Sequence, residues 1–373
     1  MRILCIGGFI DYTIQLANAL SEKETVMLVI PARKSSPDEH LATIDEKVNL
    51  YLLVASPARP RYHPANLLLI RDFLSKMRQY NPDVVHIQIG TNMLYLILLP
   101  FIKRYPFVTT FHDVRRHLGS ESSRANFLRY WLRKYSDEII VHGEKLKKQM
   151  VEEYHQASEK VHALHIGEHE VSPFKKYERK DIEEDGNLAL FFGRIWEYKG
   201  LEYLIKAEPL ITKELPDARI VIAGAGENFK RYEDMMGNRR DYFIVHNYRI
   251  PYEEGAELFQ RSSVVVLPYI EASQSGVVPT AYGFRKPVVV TDFGSVPESV
   301  EDGKTGFVVP PRDPEALAQA VIRLLRDERL RKQMGENAYK KLKEDFSWDN
   351  IALRTLEVYK KAIGARRRRK AKK

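Results

Sequence analysis

The chain has 373 residues, 44% of them hydrophobic and 29% charged, which excludes a disordered or fibrous protein and suits two domains of ordinary size. Its single cysteine, Cys5, sits in an apolar run and excludes an intrachain disulfide framework. Residues 360–373 hold nine cations and no acid, enough to account for the whole formal charge of +9. The body is therefore neutral, and the basic character belongs to an expected tail that suits anionic lipid, nucleic acid or plain solvation.

In chain order, residues 2–6 read as a strand, 12–22 as a helix and 25–31 as a strand. Leu67, Ile70, Phe73, Leu74 and Met77 recur at helical spacing until Asn81-Pro82 stops the helix. Residues 83–89 form a strand and 93–103 a helix. The apolar run 93–102 is too short to cross a bilayer and contains Pro100. Strands follow at 107–111 and 138–142, and a helix at 145–154. The opening MRILCIGGF lacks the features of a signal peptide, so the expectation is a reduced, cytoplasmic protein, with the inner membrane face as the alternative.

Residues 177–187, YERKDIEEDGN, read as a polar linker. A second series then begins: a strand at 188–192, a helix at 200–215, strands at 218–223 and 264–267, a helix at 276–284 and a strand at 287–291. Asp313 and Pro314 make an N-cap and first-turn pair for a helix over 315–326. Helices near 329–342 and over 350–362 close the chain. The alternation predicts α/β architecture, two doubly wound Rossmann-like domains facing a central cleft, with ligands beyond the carboxyl ends of the strands. The expected boundaries are an N-terminal domain at 1–172, a linker at 173–187 and a C-terminal domain at 188–348. A helix at 349–365 is expected to pack back on the first domain, ahead of a basic tail at 366–373.

Two segments carry chemistry. FFGRIWEYKG, residues 191–200, follows a strand and opens a helix. Gly193 permits a tight turn, and Arg194 and Lys199 supply two cations near a helix N-terminus, which suits a diphosphate; solvated surface cations are the other reading. EASQSGVV, residues 271–278, has small residues that let backbone N–H groups approach an anion; taken alone, it reads as an ordinary serine-rich helix cap.

GRIWEYKG, the AGAG of residues 223–226, the segment 268–283 and KPVVVTDFGSVPESVEDGKTGFVVPPRDPEALAQAV together resemble family-4 retaining glycosyltransferases of the GT-B fold. The resemblance is dense over 188–325 and looser over 1–170, where MRILCIGGF, VVHIQ, VTTFHD and VHGEKLKKQM match in kind and order. It implies transfer of a hexose from a nucleotide sugar, with retention and without a metal, to a sugar or lipid-linked hydroxyl. The expected donor is a UDP-sugar, with a GDP-sugar as alternative, and no resident cofactor is implied.

Arg194 and Lys199 would then neutralise the donor diphosphate, with Glu197 hydrogen-bonding nearby. Asn247, Tyr248 and Arg249 lie where the family clasps the nucleobase. Gly7 and Gly8 would let the first loop approach the donor phosphate and the acceptor. His112, in TFHD, matches a histidine that touches the donor sugar; a structural role is the other reading.

The family's paired glutamates fall here on Ala272 and Thr280. Glu271 lies one residue early, and its seven-residue partner would be Pro279. The chain resembles relatives with a Gln-Ser-Gly-Val loop at this place, in which Ser275, Gly276 and Val277 would offer amides to the diphosphate and Thr280 would reach the ribose. No Asp-X-Asp or clustered His/Cys set marks a metal site.

Residues 127–135, FLRYWLRKY, with Arg115, Arg116 and His117 before them, have two readings. One is a helix lying on an anionic membrane; the other is a helix packed by Phe127, Leu128 and Trp131 with its cations in water. Three competing classes stay open. One is a sugar-nucleotide binder without transfer, which the absent glutamates favour. The second is a nucleic-acid binder, which the neutral body and lack of a motif oppose. The third is a sugar-nucleotide epimerase, which the loop order opposes.

Overall fold

The computed structural model describes residues 1–31, 41–53, 65–89, 94–114, 123–168, 171–226 and 228–371. The chain forms two units, Met1–His165 with Trp348–Lys373, and Ile166–Ser347.

The first unit is built on seven parallel strands: β1 Arg2–Ile6, β2 Thr25–Ile30, β3 Asn49–Leu52, β4 Val84–Gln88, β5 Phe107–Phe111, β6 Glu138–Val141 and β7 Val161–Ala163. Their order is β3-β2-β1-β4-β5-β6-β7. Helices α1 Ile10–Ser21, α2 Ala65–Tyr80, α3 Leu94–Ile102, α4 Ser123–Tyr135 and α5 Glu144–Glu152 connect them. β4 and β5 are buried along their whole length, because a parallel sheet covered on both faces needs runs of apolar residues. The order reverses between β1 and β4, where a ligand crevice is expected at the carboxyl ends. Cys5 is buried in β1, and burial pushes its thiol up to about 12.

The second unit has β8 Leu188–Phe192, β9 Arg219–Ala223, β10 Phe243–His246, β11 Val264–Leu267, β12 Val288–Thr291 and β13 Gly306–Val309. They are parallel in the order β10-β9-β8-β11-β12-β13. Its helices are α6 Val171–Lys175, α7 Leu201–Glu214, α8 Lys230–Met236, α9 Tyr252–Arg261, α10 Val277–Gly283, α11 Pro314–Arg326 and α12 Glu328–Asp345. β9 sends Ile220 and Ile222 into one core and Val221 and Ala223 into the other, the two-sided pattern of a doubly wound sheet. Asp313 caps α11 by accepting the Ala316 N–H at 2.9 Å.

Two segments differ from their sequence reading. The polar stretch 177–187 is tied to the second unit: Glu184 meets Lys286 Nζ at 2.6 Å and Arg331 Nε at 2.8 Å, and both cations are buried. Composition suggested a linker because these cations lie far away in sequence. At the other end, α13 Trp348–Ala371 is one helix belonging to the first unit. It takes in most of the stretch expected as a loose basic tail. Arg366 donates to the Lys103 carbonyl, and Arg369 reaches Asp137 at 2.7 Å. Asp137 is wholly buried between β5 and β6 and also accepts the Phe107 N–H at 3.0 Å. Burial raises its carboxyl, while the Phe107 amide, Arg366 and Arg369 pull it down.

Deleting residues 366–373 strands this carboxylate. The expected loss is about 1–2 kcal/mol, or roughly 5 °C in melting temperature. A thermal melt of the truncated chain checks this; an unchanged melt is the result a free tail would give.

Candidate functional site

In the second unit the ligand end of the sheet is assembled from the loops after β8, β9 and β11. The backbone past β8 lies against the backbone past β9. Gly193 N–H donates to the Ala223 carbonyl at 2.9 Å, and Ile195 N–H to Ala225 at 3.0 Å. Gly224 has φ +150°, and a Cβ there would stand 1.9 Å from the Gly193 carbonyl oxygen, so the AGAG motif is a requirement of contact between two backbones. The turn Glu197–Lys199 closes on Gly200, at φ +65°, whose absent Cβ would meet the Pro268 carbonyl at 2.0 Å. The β8 loop is thereby seated on the β11 loop, where Ile270 and Glu271 N–H groups donate to the Tyr198 carbonyl at 2.9 and 3.2 Å.

This docking brings Lys199 over the buried Tyr269, its Nζ 3.7 Å from the ring centroid. The Tyr269 hydroxyl lies 3.3 Å from Ser275 Oγ, which accepts the Val277 N–H at 3.3 Å. Gly193, Lys199, Ser275, Gly276 and Val277 are thus one contiguous set. Arg194 is exposed, and its side chain pairs with no described residue. Glu197 is exposed and stands 4.0 Å from Arg231.

The two positions expected to lack carboxylates are both buried. Ala272 is 7% exposed, and Thr280, 1% exposed, donates its hydroxyl to the Gly276 carbonyl at 2.9 Å. Thr280 therefore has only its lone pairs left for a further partner. Sequence reasoning missed Gln274 and Ser295, in the loops after β11 and β12. Gln274 Oε1 and Ser295 Oγ are buried without a protein partner, the condition in which a water or ligand hydroxyl is expected.

Asn247, Tyr248 and Arg249 are exposed past the edge strand β10, two strands away from β8. Tyr248 donates to Glu254 Oε1 at 2.6 Å, and His246 Nδ1 lies 2.9 Å from the same oxygen. The Tyr248 hydroxyl pKa is raised, chiefly by that bond to Glu254.

In the first unit, Gly7 is pinned by its N–H to Val29 at 2.9 Å and by the Tyr95 hydroxyl on its carbonyl at 3.0 Å. Gly8 and Phe9 stand exposed just before α1. His112, one residue past β5, is 3% exposed and engaged at both nitrogens: Nε2 lies 2.9 Å from Gln88 Oε1 and Nδ1 lies 3.1 Å from His142 Nε2. Its ring centroid is 4.1 Å from that of Phe9. His112 therefore belongs to a buried polar string that continues through Gln88 to His86, and from His86 Nδ1 to the Tyr359 hydroxyl at 2.6 Å. As placed, both of its nitrogens serve the interior, and Phe9 is what it supports toward solvent.

Burial, and next the neighbouring His142, lower the His86 pKa from 6.5 to about 3. Below pH 6.5 the unfolded chain takes up a proton there that the folded chain refuses until about pH 3, so acid costs stability across that window.

Arg115, Arg116 and His117 lie outside the described residues. In α4, Leu128 and Leu132 are buried while Phe127 is 54% exposed, so Phe127 is not the packing residue of the second reading. Among the described residues no helix is long and apolar enough to cross a membrane.

Comparison with known proteins places these loops in context. Residues 174–341 match the family model for glycosyl transferases group 1, and residues 6–167 match that for glycosyltransferase family 4. An uncharacterised glycosyltransferase of Methanocaldococcus jannaschii is 30% identical over 75% of this chain and 76% of its own. A D-inositol 3-phosphate glycosyltransferase of Streptomyces avermitilis is 31% identical over 51% of this chain and 43% of its own. Among solved structures, sucrose-phosphate synthase from Thermosynechococcus elongatus superposes with TM-score 0.74 at 20% identity, over 98% of this chain and 100% of that one. Anabaena HepE in complex with UDP-glucose gives TM-score 0.71 at 16% identity, over 96% and 98%. These neighbours share the GT-B fold, two Rossmann-like domains with parallel sheets.

Proposed function

The chain belongs to the group 1, family 4 glycosyltransferases, and from that premise we propose that it moves a hexose from a nucleotide sugar to a hydroxyl of a sugar or lipid-linked acceptor, with retention. The observation that carries this reading is the seating of the Arg194–Lys199 loop on the Pro268–Val277 loop at the carboxyl ends of β8 and β11. That arrangement offers two cations and a cluster of small residues to a diphosphate. The complex of a fold neighbour with UDP-glucose supports a UDP-sugar as donor.

In the proposed reaction the acceptor oxygen bonds to the anomeric carbon from the face the diphosphate leaves. The bond from that carbon to the diphosphate oxygen breaks, and the acceptor proton passes to a phosphate oxygen. Arg194 and Lys199 meet the charge that develops on the leaving group, a task that elsewhere falls to a metal ion. Ser275, Gly276 and Val277 line the diphosphate, Asn247, Tyr248 and Arg249 the base. Gln274 and Ser295 offer the sugar neutral acceptors in the region where relatives carry a carboxylate. His112 acts by supporting the Gly7–Phe9 loop. A lipid-linked acceptor would put the enzyme on an anionic inner membrane face.

Thermal shifts against UDP-, GDP- and ADP-glucose test the donor assignment. A ligand at about 100 times its Kd stabilises by about 2.7 kcal/mol, or roughly 5–10 °C here. The expected result is a shift with UDP-glucose that Arg194→Ala and Lys199→Ala each reduce. No shift with any of the three would sink the reading and favour a binder of another ligand class.

A further inference from the structure

At the amino-terminal ends of β5 and β6, away from the ligand ends of the strands, the first unit gathers cations from three separate helices. Asp137 N–H donates to the Phe107 carbonyl at 2.7 Å and so marks this end of both strands. Arg366 of α13 donates to the carbonyl of Lys103, just past α3, and Arg369 of α13 binds Asp137. Lys160 Nζ donates to the carbonyl of Arg133 in the last turn of α4 at 2.9 Å. These contacts draw the carboxyl ends of α3, α4 and α13 together.

The surrounding sequence is unbalanced. Residues 84–112, 122–136 and 358–373 contain no acid. The acids at this end are Asp137 and Glu138, both buried, with Glu138 paired with His162 at 2.7 Å, and the exposed Asp83, Glu152, Glu153 and Glu159. Arg104, Lys134, Arg367 and Arg368 are exposed.

The cations are interleaved with aromatic rings. Lys103 Nζ lies 4.7 Å from the Tyr135 ring centroid, and Lys134 Nζ lies 4.9 Å from that of Trp131. Trp131 stacks on Tyr135 at 5.6 Å. Along the outer faces of α3 and α4, which touch each other, Ile97, Phe101, Phe127 and Tyr130 are 51%, 37%, 54% and 50% exposed. Apolar and aromatic side chains rimmed by unopposed cations match the chemistry of an anionic bilayer surface, where rings sit at headgroup depth and lysine or arginine meets phosphate. A nucleic acid would use the cations and stack bases on the rings but leave the aliphatic Ile97 without a role, whereas a bilayer surface engages all three kinds of side chain.

We propose that this face, formed by α3, α4 and the carboxyl end of α13, is a docking surface for anionic phospholipid. It tethers the protein from the end opposite the strands' ligand ends, so attachment leaves those ends uncovered. The inference holds whether or not the acceptor is a lipid.

Sedimentation with vesicles of phosphatidylcholine alone, and with about 30% phosphatidylglycerol, tests it without any turnover assay, so its failure is separate from failure of the transferase reading. The expected result is binding that requires phosphatidylglycerol and falls with salt. Arg104→Ser with Lys134→Ser is expected to weaken it by about fivefold per charge. Phe127→Ser with Tyr130→Ser is expected to weaken it by roughly tenfold or more. All four side chains are exposed, so an unchanged melting temperature should accompany both losses. Equal binding to both vesicle types, or full binding by either double variant, would overturn the proposal. Loss of vesicle binding to competing RNA, with the RNA bound more tightly than the anionic vesicles, would reassign the face to a nucleic acid.

Discussion

Lys199→Ala is expected to lower the turnover of UDP-glucose, followed as UDP release, by about 10²–10³-fold. The size follows from how the ammonium is held. The turn Glu197–Lys199 ends on Gly200 against the Pro268 carbonyl, so the backbone under Lys199 has no freedom to drift. The side chain is partly buried and lies on the face of Tyr269, which is itself fixed by its carbonyl accepting the Thr291 hydroxyl at 2.5 Å. A fixed charge in a partly desolvated place stabilises a developing phosphate charge without reorganising. Arg194, an exposed residue, has no such restraint, and Arg194→Ala should cost roughly tenfold. Because the charge grows as the sugar departs, kcat should fall more than KM rises. Lys199→Arg should not recover the rate, since a planar fork cannot occupy the place of a compact ammonium over the ring. A Lys199→Ala protein that melts normally and turns over within about threefold of the parent would remove Lys199 from the chemistry.

The parts of this molecule legible in sequence are those whose causes are local. Runs such as Val264–Leu267 and Val288–Thr291 announce buried parallel strands because both faces need apolar side chains. Asp313-Pro314 announces a helix start because the cap and its acceptor lie three residues apart. The edge strands β3, β7, β10 and β13 were missed because they are short and partly exposed, so their pattern is weak. GRIWEYKG could be read as a diphosphate loop, yet nothing local says that Lys199 will lie on Tyr269; that contact needs the β8 and β11 loops to meet. His112 was visible in TFHD, whereas its partners Gln88 and His142 come from two other strands. The alternation of His86 and Gln88 in VVHIQ was the available signal, placing two polar side chains on one face of a buried strand. The cationic end read as a tail because Asp137, which Arg369 meets, lies 232 residues earlier.

The same blindness to distant partners makes Glu184 the informative test of the second unit. Glu184→Ala is expected to cost about 3 kcal/mol, or roughly 10 °C in melting temperature. The carboxylate holds Lys286 on one oxygen and Arg331 on the other, with side-chain exposures of 7% and 6% for the cations. Arg331 keeps the carbonyls of Leu324 and Leu325, each at 2.9 Å, when Glu184 is removed. Among the described residues Lys286 keeps no comparable anion, and a buried ammonium without one is strongly destabilising. The competing forces show in the titrations. Burial pushes the Glu184 carboxyl up, but Lys286 and Arg331 together outweigh it and leave it low; Lys286 is lowered, chiefly by burial, against the pull of Glu184. A carboxyl held below its unfolded value gives stability that is complete above pH 4.5 and is lost as pH falls through the folded value. Glu184→Gln should therefore flatten the acid side of the stability curve below pH 4.5 as well as lowering the plateau. Combining Glu184→Ala with Lys286→Met removes the stranded charge and should restore most of the loss. Chemical denaturation of the three variants at neutral and acid pH reads all of these effects, and a Glu184→Ala protein as stable as the parent would return residues 177–187 to the role of a passive linker.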